Sequence, residues 1–129
     1  MPYPTATHYS PHFSRRELDC HCGCDAPPGA EKNLAKLAAS LELLRDALGG
    51  TPLHVNSGYR CPKYNASIGG AKASQHMEGK ACDLSGRLVT PCEIAKMAES
   101  VPVFAKGGVG RYATFCHVDI RTGPARWNG

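Results

Sequence analysis

The chain reads as an α+β protein, with helices packed on a small antiparallel sheet. Three observations lead there. Residues 31–48 carry a leucine stripe at helical spacing, residues 91–100 carry a second helix signal, and 107–121 hold two short strand-like runs. The 129 residues fit one compact domain over 1–129. Composition agrees, at 42% hydrophobic and 20% charged, which is ordinary for a folded soluble chain.

The elements follow in order. Residues 1–12 contain Pro2, Pro4 and Pro11 and show no period, so they read as a loosely docked N-terminal arm. Ser14 followed by Glu17 forms a capping-box pattern for a short helical turn. Pro27, Pro28 and Gly29 read as a loop. From 31 to 48, Leu34, Leu37, Leu41, Leu44 and Leu48 recur at three- and four-residue steps. Gly49 and Gly50 stop that helix. "LHVNSGYR" reads as a short strand leaving into a loop, and "CPKYNASIGG" as a helical turn broken by Gly69 and Gly70. Thr90, Pro91 and Glu93 are an N-cap, a first-turn proline and a capping-box partner. "GGVGRY" and "FCHVDIR" are the two strands.

Charge narrows the function classes. A net charge of +4 is a mild bias toward anionic partners. The basic residues are scattered and lack interleaved aromatics, so nucleic acid is not expected as a partner. No apolar run reaches the roughly 20 residues of a membrane span. The N-terminus has no basic region followed by an apolar one, so no standard secretory signal is seen.

"ASQHMEGKACDL", residues 73–84, is the first segment to suggest chemistry. Zinc accepts imidazole nitrogen and carboxylate oxygen, and a catalytic site leaves one position open. His76 and Asp83 are separated by enough chain to turn and meet, and Gly79 eases the turn. A third ligand comes from "TFCHVDIR". On a strand, His117 and Asp119 share one face while Cys116, Val118 and Ile120 share the other. One face then carries a histidine and a carboxylate together, which suits a metal ligand beside a proton-handling group.

"SQHMEGKACD" resembles the Ser-x-His-x-x-Gly-x-Ala-x-Asp motif of the M15 zinc peptidases. These are D-Ala-D-Ala carboxypeptidases and peptidoglycan endopeptidases, whose fold also occurs in the hedgehog signalling domain. "NSGYRCPKYN" and "FCHVDIRTGPARW" resemble two further segments of that family, and "HFSRRELDCHCGC" resembles the start of a small phage- or prophage-type branch. The likeness runs over about residues 12–127. It implies one catalytic Zn2+ on His76, Asp83 and His117, and a zinc-activated water that cleaves stem peptides or cross-links next to D-alanine. It also implies a monomer made in the bacterial cytoplasm and acting on the cell wall.

The resemblance assigns Arg60 to catalysis and to substrate contact. Ser74 and Gln75 are placed to hydrogen-bond the substrate or a ligand, and Tyr59 is a candidate to line the cleft and bind substrate, with aromatic packing its simpler reading. Ser74 and Gln75 fit a purely structural loop role equally well. Where several branches carry a glutamate or a histidine, this chain has Thr114 and Phe115. Asp119 is the nearest replacement as catalytic base. Its rival role is to orient a ligand or hold Arg121. With the usual base missing, a non-catalytic zinc-binding module of the same fold is the alternative function.

Seven cysteines are many for this length. A bridge from Cys20, Cys22 or Cys24 to Cys61 would tie the N-terminal segment to the Arg60 loop. A structural zinc on these thiols is the competing arrangement. Cys82, Cys92 and Cys116 read as small buried hydrophobes.

Overall fold

The structure is a computed structural model and describes residues 3–129. It opens with β1 (His8–Ser10) paired antiparallel to β2 (Phe13–Ser14). Tyr9 and Phe13 are buried in the main core. Glu42 accepts hydrogen bonds from Ser10 Oγ at 2.6 Å and the His12 amide at 2.7 Å. The expectation of a loosely docked arm is therefore corrected from residue 8 onward. A buried tyrosine and a carboxylate anchor hold the segment down.

Ser14 and Glu17 cap α1 (Arg15–Leu18) reciprocally, as the sequence pattern implies. The leucine stripe lies on α2 (Pro28–Ala47), where Leu34, Leu37, Leu41 and Leu44 are fully buried. This helix starts inside the segment expected to be loop. Pro28 takes its first position, where a missing N–H costs nothing.

β3 (His54–Ser57), α3 (Pro62–Ser67) and a 3-10 turn over Gln75–Glu78 lead to β4 (Ala81–Ser85). Then come α4 (Pro91–Ala98), capped by Thr90 and Glu93, and α5 (Pro102–Ala105). β5 (Gly108–Arg111), β6 (Cys116–Asp119) and β7 (Ala125–Asn128) complete the chain.

The main sheet has the order β3-β4-β6-β5-β7. Its first four strands pair antiparallel, and β7 joins β5 in parallel as an added edge. α4 packs on β4, β5 and β6 and against α2. Val55, Cys82, Leu84, Val109, Cys116 and Val118 join the core. Alternation then turns Asp83, His117 and Asp119 to the other face. Cys92 departs from expectation: it is exposed, whereas Cys82 and Cys116 are buried. Among the described residues no helix is long and apolar enough to cross a membrane.

Candidate active site

Strand register assembles the site. Gly110 on β5, His117 on β6 and Asp83 on β4 are direct cross-strand partners. The next row is Gly108, Asp119 and Ala81. The small residues leave room for the large ones. A Cβ on Gly110 would come within 2.4 Å of the Trp127 ring, and a Cβ on Gly108 within 2.3 Å of the Asp119 carboxylate.

His76 enters from the 3-10 turn. Ser74 caps that turn, its Oγ accepting from the His76 amide at 3.1 Å. Gly79 ends it at φ +72°, and a Cβ there would meet the Ala30 carbonyl oxygen at 2.5 Å. Both the sign of φ and the helix α2 backbone require glycine.

Two hydrogen bonds fix the tautomers. His76 Nδ1 lies 2.8 Å from the Gly58 carbonyl oxygen, which can only accept, so Nδ1 carries the proton. His117 Nε2 lies 2.7 Å from Asp119 Oδ2, so there Nε2 carries it. In the neutral rings the lone pairs are on His76 Nε2 and His117 Nδ1. These two atoms face Asp83 Oδ1 at 3.3 and 3.2 Å. Three acceptors thus point at one another in a buried place, an arrangement that needs a cation or extra protons between them. Ligand bonds of about 2.0–2.1 Å in a tetrahedron put donors roughly 3.3 Å apart. The donor set and its spacing therefore fit zinc.

Electrostatics follow from the same contacts. Burial pushes the Asp83 carboxyl up, but His117 and His76 outweigh it and hold the group well below the usual carboxylate range. Burial pushes His117 down, and hydrogen bonds to Asp119 and Asp83 more than reverse this, so it is raised. Asp119 is likewise held low, its burial offset by His117 and Arg121.

The Peptidase M15 family model matches residues 11–119. The chain belongs to the M15 peptidase family. It is 38% identical over 95 residues to the zinc D-Ala-D-Ala carboxypeptidase of Streptomyces albus G, covering 69% of this chain and 37% of that protein. It is 41% identical over 88 residues to the "Probable peptidoglycan L,D-endopeptidase MepK" of Haemophilus influenzae, covering 64% of this chain and 46% of that protein. The chain thus spans less than half the length of these two curated relatives.

In this M15 chain a cleft of about 420 Å³ opens over the cluster, lined by His76, Asp83 and His117 together with Arg60, Ser74 and Gln75. Arg60 is held by Ser57 Oγ at 3.1 Å, Asn65 Oδ1 at 3.3 Å and Asp83 Oδ2 at 3.3 Å. A more apolar groove of about 490 Å³ near Leu53, His54 and Leu88 contains none of these residues.

Two expected residues fall elsewhere. Tyr59 is 3% exposed, packed in the core and absent from the cleft lining, so its expected substrate contact is corrected. Asp119 is 0% exposed and does not line the cleft. Its oxygens accept from the Gly108 amide, the Arg121 amide, Arg121 Nε and Nη2, and His117 Nε2. These contacts match the ligand-orienting one of its two expected roles.

Three aromatic residues outside the expected set also sit at the cleft of this M15 chain. Trp127 packs against His117 with ring centroids 4.9 Å apart and planes tilted by 54°, and donates from Nε1 to Tyr112 Oη at 2.8 Å. Tyr112 stacks on Phe115 at 4.3 Å. All three line the cleft. The available signal was the chain's single tryptophan, set in a short run after the last histidine.

Proposed function

We propose that this M15 chain is a zinc-dependent peptidase that hydrolyses peptide bonds in peptidoglycan stem peptides or cross-links, next to D-alanine. The observation that carries the reading is the convergence of His76 Nε2, His117 Nδ1 and Asp83 Oδ1 at the floor of an open cleft. These three side chains would hold one zinc. When bound, zinc supplies Lewis acidity toward a peptide carbonyl and toward water.

The chain's own residues do the rest. The Gly58 carbonyl and Asp119 lock both imidazoles with their lone pairs inward. Asp119 is a positioning residue, itself fixed by Arg121. Arg60 uses one N–H from each of its nitrogens on Ser57, Asn65 and Asp83. Each Nη keeps a second N–H for a substrate carbonyl or terminal carboxylate. Gln75 lines the cleft and its Oε1 is buried without a partner among the described residues. Tyr112 accepts from Trp127, which leaves its own hydroxyl proton to donate.

One observation favours a second reading, a non-catalytic zinc-binding module. Asp83 is the only carboxylate among the residues lining the cleft, so the cleft offers no separate proton acceptor of that type. The two readings part in one experiment. Wild type and His76→Ala are measured for zinc by elemental analysis and for fragments released from purified peptidoglycan. The peptidase reading expects chelator-sensitive release by wild type, falling at least about a thousandfold in the variant. Zinc-loaded wild type that releases nothing would overturn it and favour the module.

A further inference from the structure

Cys20, Cys22, Cys24 and Cys61 form a second cluster, away from the cleft. Their four sulfurs all lie within 4.8 Å of one another. Cys20 Sγ is 3.3 Å from Cys22 Sγ, which is 3.7 Å from Cys61 Sγ. A tetrahedron of about 2.3 Å metal–sulfur bonds sets sulfurs roughly 3.8 Å apart. The spacing is close to that, and far longer than a disulfide bond of about 2.0 Å.

We propose that these four cysteines bind a second, structural zinc ion as a tetrathiolate. Pairing arithmetic argues against two disulfides. Each of the three possible connectivities joins two members of the Cys20–Cys24 segment, across one or three residues, where bridge geometry is poor. A single bridge to Cys61 would strand two thiols. One tetrahedral ion engages all four.

The surrounding backbone is arranged for thiolates. Cys20 Sγ accepts from the Cys61 amide at 3.4 Å, and Cys61 Sγ accepts from the Tyr64 amide at 3.3 Å. Such N–H groups stabilise negative sulfur. Gly23 sits at φ +88°, where glycine lets the short loop fold back. Soft sulfur donors in a closed tetrahedron select zinc over hard cations.

The ion would link the cysteine loop to the segment that carries Arg60, which lines the cleft. The Tyr59 amide donates to the Leu18 carbonyl at 2.7 Å, next to the cysteine loop. On either side of Tyr59, the Gly58 carbonyl holds His76 and Arg60 lines the cleft. The cysteine site is thus a clip on the strand end that carries Arg60. It contacts no reacting atom.

The test loads reduced, full-length protein with cobalt(II) or zinc. Cobalt-loaded wild type is expected to show thiolate-to-cobalt charge-transfer absorption, and His76→Ala to keep it. Zinc content is expected to fall from two per chain to one in His76→Ala, and from two to one in Cys22→Ser/Cys24→Ser, whose sites are exposed. Absent charge-transfer absorption in cobalt-loaded wild type would overturn the proposal without relying on any variant. So would His76→Ala retaining no zinc, or wild type isolated with these cysteines in disulfides and one metal. Loss of peptidase activity with the cysteine zinc intact would bear on the hydrolase reading alone.

Discussion

His76, Asp83 and His117 are all buried, whereas of the four clustered cysteines only Cys20 is; Cys22 and Cys24 are exposed. Asp83 and His117 are direct cross-strand partners in the middle of a five-stranded sheet, and His76 sits on a capped turn. Three of the cysteines instead fall on one loop between α1 and α2. A ladder fixes its side chains before any ion arrives, so the first site is preorganised. A loop with few partners gains its order from what it binds. On the proposed reading, the metal of the first site would act as a reagent and that of the second as a fastener.

That contrast can be broken most directly at Asp119. If strand-borne preorganisation matters, Asp119→Asn weakens zinc binding at the histidine site by about 10–100-fold, since a ligand-orienting partner is degraded. Competition with a chromophoric chelator measures it, and the cysteine-bound zinc should not move. Equal weakening at both sites would end the distinction. Gly110→Ala tests the packing behind the same site. A Cβ there meets the Trp127 ring, so the ring must shift at a cost of about 2 kcal/mol in urea unfolding. Thr90→Ala is the smallest change. Loss of the α4 capping box costs about 1 kcal/mol in the same measurement and leaves zinc content at both sites unaltered.

How much of this was legible in the sequence depends on where each residue sits. The α2 stripe could be read because one helix face is buried and the other wet. His117 and Asp119 could be placed on one face by simple alternation. β4 could not be read as a strand, and Asp83 passed as part of a turn. The strand lies between β3 and β6 with residues 81–84 all buried, so burial on both faces erases the period-2 signal. β7 was missed because it returns to the sheet edge by a parallel pairing with β5 that no local pattern encodes. The β1–β2 ribbon is only a few residues long, and Tyr9 owes its burial to α2, distant in sequence. Asp119 illustrates the same limit in chemistry. Alternation allows it two roles, and the contacts with Gly108, Arg121 and His117 favour the orienting one.

The most direct test of the central claim is anomalous diffraction at the zinc edge from crystals of the zinc-loaded protein. A peak coordinated by His76 Nε2, Asp83 Oδ1 and His117 Nδ1, with Asp119 against the outer nitrogen of His117, is the expected result. Zinc-loaded crystals with no anomalous density between those three atoms would contradict it.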